Sequence, residues 1–119
     1  KCAKKRVIKK DELENFKKIL ENLPSRVNFE VRLNKETQIS EPTGCKYCHN
    51  GYLGRTAVVE LLEITDEVER LILTSPAEVE LKEAAKKTGM VTMVQDAVIK
   101  ILKGETTIEE AERILGSLE

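Results

Sequence analysis

Cys45 and Cys48 stand three positions apart in Thr43-Gly-Cys-Lys-Tyr-Cys-His-Asn-Gly-Tyr-Leu-Gly-Arg55, a spacing that turns two sulfurs toward one point and makes half of a tetrahedral zinc site. Cys2 is the third cysteine and supplies a third thiolate if the fold brings the start of the chain to this loop. His49 is a poor fourth ligand, because it follows Cys48 directly and adjacent side chains rarely reach the same tetrahedral ion. The zinc reading therefore has three ligands, Cys2, Cys45 and Cys48, and lacks one.

Two other chemistries compete for the same residues. Cys45-Lys46-Tyr47-Cys48-His49 matches the Cys-x-x-Cys-His signature of covalent haem, with Met90 or Met93 as a second axial ligand, and would make the chain a c-type electron carrier. That needs export and an aromatic, apolar pocket, whereas the chain has two Phe, two Tyr and no Trp. It also leaves the continuation Gly51-Tyr52-x-Gly54-Arg55 unexplained. A dithiol redox role lacks the βαβ setting that supports one.

Catalysis has little to work with. No Gly-x-x-x-x-Gly-Lys-Ser/Thr phosphate loop occurs, and with a single histidine no Cys-His or Ser-His assembly stands out. By itself the chain is not expected to hydrolyse ATP.

The elements that must position the cysteines can be read from periodicity. Asn50-Gly51 tolerates positive φ and lets the chain reverse sharply, and Gly54 gives a second such position. Thr56 to Ile64, with Val58, Val59, Leu61, Leu62 and Ile64 broken by Glu60 and Glu63, reads as a strand. Val27 to Leu33 alternates cleanly as another, and a short strand is expected around Gln38 to Ser40. Together these predict a small antiparallel sheet closed by a cysteine knuckle, with Tyr52 packed on the knuckle and Arg55 paired to Glu60 or Glu63. Before the sheet, Asp11 with Glu14 starts a helix whose face is Leu13, Phe16, Ile19, Leu20 and Leu23 and which Pro24 ends.

After Ile64 the pattern is helical. Thr65 caps a helix over Asp66 to Leu73; Ser75-Pro76-Ala77-Glu78 restarts one that runs to about Lys87 before Gly89. Thr92 opens a third that lasts until Gly104, and Thr107 with Glu110 opens a fourth over Ile108 to Leu115. The fold class is α+β: residues 1–64 form the cysteine module and 65–119 a four-helix C-terminal bundle.

The 119 residues carry 20 basic and 21 acidic side chains, a net charge of −1, which argues against nucleic acid as the main partner. No apolar run approaches the roughly 18 residues of a membrane span, and no signal-peptide pattern opens the chain. Three cysteines without such a peptide favour reduced thiols and the cytoplasm. The start at Lys1 suggests a piece of something longer.

Cys45-x-x-Cys48, then Gly51-Tyr52-x-Gly54-Arg55, then Val58-x-Glu60-Leu61-Leu62 resembles the C-terminal tetracysteine segment of the ATPases that drive type II secretion and type IV pilus assembly. The tail, Gly89-Met90 with Asp96 and then Lys103-Gly-Glu-Thr-Thr-Ile-Glu-Glu110, is similar to that family's end. The resemblance implies that Cys2 is the second cysteine of a first pair, with the fourth ligand upstream of Lys1, and that Gly51, Tyr52, Gly54, Arg55 and Glu60 are structural. It further implies a homohexamer, ATP and magnesium held only in an upstream domain, platform proteins of the inner membrane as partners, and a structural or interactive role for this part. A free-standing adaptor using the same module is the remaining alternative.

Overall fold

The computed structural model describes residues 2–24, 27 and 33–118, and its architecture is α+β. The order is β1 (Ala3–Val7), α1 (Lys10–Leu20), β2 (Gln38–Pro42), α2 (Asp66–Leu73), α3 (Glu78–Lys87), α4 (Met93–Lys103) and α5 (Ile108–Leu115). β1 and β2 pair antiparallel in a two-stranded sheet, from Ala3 opposite Pro42 to Val7 opposite Gln38.

The helix starts follow their caps. Thr65 accepts from the Val68 amide, Thr92 from Gln95 and Thr107 from Glu110, each hydroxyl meeting an amide that the first turn leaves without a partner. Gln95 completes the box at Thr92 by accepting from the Thr92 amide. α1 begins one residue before the expected Asp11, because it is Glu12, not Glu14, that reaches back, accepting from the Lys9 amide at 2.9 Å. α3 begins later than Ser75-Pro76 suggests: Ser75 takes a φ of 54°, and Glu80 accepts from the Ala77 amide.

One apolar core holds the ends of the chain together. Phe16 and Leu13 of α1, Ile39 of β2, Ala97, Val98 and Ile101 of α4, Ala111 of α5 and Leu118 form a single buried cluster. α4 packs on α1, α5 and β2, while α2 packs on α3. The helices after Ile64 thus form two pairings, and the expected single four-helix bundle is not what they make.

Thr56 to Ile64 is not a strand here. Its Val58 packs on the core, and two side-chain bonds clamp it to α4: the Val59 amide donates to Asp96 Oδ2 at 2.9 Å, and Glu60 Oε2 accepts from the Met93 amide at 3.0 Å. The place beside β2 is taken by β1, which the basic run Ala3-Lys-Lys-Arg-Val7 does not announce. Residues 28–32, the middle of the expected Val27 to Leu33 strand, lie outside the described residues. No helix among the described residues is long and apolar enough to cross a membrane.

Candidate metal centre

The antiparallel register solves the distance problem posed by Cys2. With Ala3 opposite Pro42, Cys2 at the mouth of β1 stands beside the chain leaving β2, and Cys45 follows three residues after Pro42. The sulfurs of Cys2, Cys45 and Cys48 all lie within 4.8 Å of one another, and Cys2 Sγ is 3.5 Å from Cys48 Sγ. A tetrahedron with zinc–sulfur bonds of about 2.3 Å has sulfur–sulfur edges of about 3.8 Å, so the donor set fits such an ion with little movement. Cys45 is exposed and the other two are half-buried, which leaves a side of the cluster open.

The knuckle backbone converges on the Cys48 sulfur. The Cys45 amide donates to Cys48 Sγ at 3.0 Å, and the Cys48 amide closes a turn on the Cys45 carbonyl at 3.3 Å. Hydrogen bonds from the Cys45 thiol, then from Cys2 and from the Cys45 and Gly51 amides, hold the Cys48 thiol below its ordinary range. Cys2 is pushed up to about 11, first by its bond to Cys48 and then by that to Cys45. The two shifts run in opposite directions because the hydrogen bonds inside the cluster favour a charge on Cys48 over one on Cys2.

A hairpin turn fixes the knuckle. His49 and Tyr52 exchange amide-to-carbonyl bonds of 2.9 Å in both directions, and between them Asn50 and Gly51 take φ of 50° and 94°, the two positive values that a type I′ turn requires. A side chain at Gly51 is excluded twice over, because a Cβ would lie 2.5 Å from Pro42 Cβ. The turn is thereby seated on the end of β2. His49 is exposed and spends its backbone on this turn.

The other singled-out residues fall into two groups. Tyr52 does more than pack on the knuckle: its hydroxyl is 2.7 Å from Thr107 Oγ1, tying the loop to the cap of α5. Glu60 serves the start of α4, as described, and is not the partner of Arg55. Gly54 has a φ of 77° with open space around it, and Arg55 is exposed, with no ion pair or hydrogen bond from its side chain to any described residue. Sequence reasoning missed Thr107 and Pro42 as partners of the loop. Thr107 was legible as a cap, but nothing in the spacing ties it to a residue 55 positions earlier.

The haem alternative is not favoured. Cys48, which a thioether would consume, is instead the centre of the thiol cluster. Comparison with known proteins points elsewhere as well. The family model described as "Type II/IV secretion system protein" matches residues 4–113. "Type II secretion system protein E" of Xanthomonas campestris is 34% identical over 112 residues, covering 92% of this chain and 20% of that protein. "Type II secretion system protein HxcR" of Pseudomonas aeruginosa is 44% identical over 72 residues, covering 60% and 15%, and "Type IV pilus assembly ATPase PilB" of Thermus thermophilus is 43% identical over 68 residues, covering 56% and 8%. The chain therefore spans a fifth or less of the length of these relatives. No solved structure matches.

Proposed function

The chain belongs to the type II/IV secretion system protein family, and from that premise we propose that it is the C-terminal structural and interaction part of a hexameric ATPase powering type II secretion or type IV pilus assembly. Residues 1–64 are its tetracysteine module and 65–119 its helical end. ATP and magnesium belong to an upstream domain, and the part described here contacts neighbouring subunits and inner-membrane platform proteins on the cytoplasmic side.

The observation that carries this reading is the convergence of three thiols, drawn from positions 43 residues apart, within 4.8 Å. Cys2, Cys45 and Cys48 would hold zinc, with a cysteine upstream of Lys1 as the fourth ligand. The ion would supply cross-linking, since an exposed loop with few apolar contacts gains its fixed shape from ligation. The chain's own residues do the rest. β1 delivers Cys2, the Asn50-Gly51 turn aims Cys48, and Tyr52 passes the loop's position to α5.

The test is the native gene product, detected in cell extract by an antibody against this chain, with its metal content measured after purification. A product several times larger than 13.4 kDa, holding one zinc that is lost in the Cys45→Ser/Cys48→Ser variant, is expected. A product of about 13.4 kDa removes the motor and leaves an adaptor; a long product without zinc removes the metal.

A further inference from the structure

The knuckle presents side chains that neither the thiol cluster nor the core uses. Leu53 is 86% exposed, the most exposed large apolar side chain among the described residues, and Tyr47 is 76% exposed. A single exposed apolar side chain is ordinary. Two on one small loop, with a cation next to Tyr47 and another two residues after Leu53, form a patch.

Charge sets this loop apart as well. The chain as a whole balances 20 basic against 21 acidic side chains, but between Glu41 and Glu60 the sequence has no carboxylate and carries Lys46 and Arg55. Neither cation is spent on the cluster. Lys46 Nζ lies over the Tyr47 ring, 4.9 Å from its centroid, and Arg55 is exposed and bonds to no described residue. Gly54, between Leu53 and Arg55, has nothing within 4 Å of where a Cβ would stand. No neighbour among the described residues requires the missing side chain, and the backbone there is open to close approach from outside.

The patch is also held still. His49 and Tyr52 close the turn with paired bonds of 2.9 Å, Gly51 sits against Pro42, and the Tyr52 hydroxyl ties the loop to Thr107. A fixed knob loses little freedom when a partner covers it. Tyr and Arg are the side chains that dominate protein–protein contacts, and a guanidinium fork takes a carboxylate through two bonds. An anionic membrane is a poorer match, because two cations fall short of the roughly four to eight that read as such a site.

We propose that Tyr47, Leu53 and Arg55, with Lys46 beside them, form a docking knob for an acidic segment of another protein, whose carboxylates meet Arg55 and Lys46 and whose apolar side chains cover Tyr47 and Leu53. The inference rests on the reading of this part as an interacting one, and it adds the surface and the chemistry of the partner.

Random peptides displayed on phage and selected against the native gene product test the docking. Enrichment of peptides that combine Asp or Glu with Leu, Ile or Phe is expected, and the synthetic form of the strongest should bind Arg55→Glu and Leu53→Ser at least about tenfold more weakly by calorimetry. Both variants should keep the metal content and the thermal midpoint of the parent, since both side chains are exposed. Lys86→Glu on α3 makes the same change of net charge as Arg55→Glu and should leave binding as it was. Enrichment of no peptide, of basic ones, or of acidic ones that Arg55→Glu does not weaken overturns the proposal while leaving the ATPase reading intact. Flotation with phosphatidylglycerol vesicles that Arg55→Glu abolishes overturns it in favour of a membrane surface. Self-association in sedimentation that Leu53→Ser abolishes overturns it in favour of a second copy. A native product of about 13.4 kDa overturns the ATPase reading alone, because either protein carries the knuckle.

Discussion

The knuckle and the α4 core are held together by different forces. Around α4, Ala97, Val98 and Ile101 are fully buried against Phe16, Ile39 and Ala111, and stability there comes from apolar area removed from water. Around Cys48, Tyr47 and Leu53 face solvent, and the shape rests on backbone bonds, one turn and three thiols. The contrast teaches that apolar burial serves the helices around α4, whereas the loop, poor in such burial, is the place where a bound ion would add most to a fixed shape.

The largest effect that would sharpen this contrast comes from the core. Ile101→Ala should cost about 2–5 kcal/mol, the range for emptying a fully buried aliphatic site, and should lower the thermal midpoint whether or not zinc is present. Calorimetry with and without a chelator checks this. If the loss shrinks to nothing in zinc, the core and the knuckle are one unit and the contrast fails.

Gly51→Ala comes next. It puts a Cβ 2.5 Å from Pro42 Cβ at a φ of 94°, and strain of this kind costs about 1–3 kcal/mol. The loss is expected to fall mainly on metal affinity, read by competition with a chromogenic zinc chelator, with the midpoint of the apo protein moving less. Tyr52→Phe should be milder. It removes the bond to Thr107 at 2.7 Å, worth about 0.5–1.5 kcal/mol, and because Thr107 still caps α5, helicity by circular dichroism should be unchanged while exchange in the loop speeds up.

How much of this could be read in advance follows the same division. Thr65, Thr92 and Thr107 open their helices as the sequence says, because a cap is a bargain between residues three apart. The Asn50-Gly51 turn and the Gln38 strand are legible for the same local reason. Cys2 reaches the knuckle only through β1, whose Lys4-Lys5-Arg6 shows no alternation; the strand exists because β2 offers it a ladder, and Lys5 and Arg6 find partners in Ser40 and Glu12. The opposite error occurs at Thr56 to Ile64, where strand periodicity is real but α4 takes the bonds, its Asp96 side chain accepting from the Val59 amide and its Met93 amide donating to the Glu60 side chain. Pattern reports which face is apolar. It does not report which neighbour is there to pair.

The smallest effect concerns the strut that joins the two regions. Arg6 on β1 grips Glu12 on α1 through two bonds of 2.7 Å, and both side chains are mostly covered, at 22% and 17% exposure. That bond first, and the Lys9 amide after it, hold the Glu12 carboxyl below the usual carboxylate range. A carboxyl whose value is depressed by folding stabilises the native state above its unfolded value, near 4.5, and that contribution is lost as pH falls through the lower, folded value. Glu12→Gln should therefore cost about 1 kcal/mol at neutral pH and flatten the acid limb of a stability curve, the difference from the parent chain closing as the pH drops below about 4. Glu78 on α3 provides the control: Lys82 lowers it too, but that pair is open to solvent, and Glu78→Gln should leave the curve where it was. Because Arg6 lies on β1 four residues from Cys2, which stands just before the strand, loosening the strut should also weaken metal binding at neutral pH. If Glu12→Gln changes the acid limb and leaves metal affinity untouched, β1 delivers Cys2 by its ladder with β2 alone.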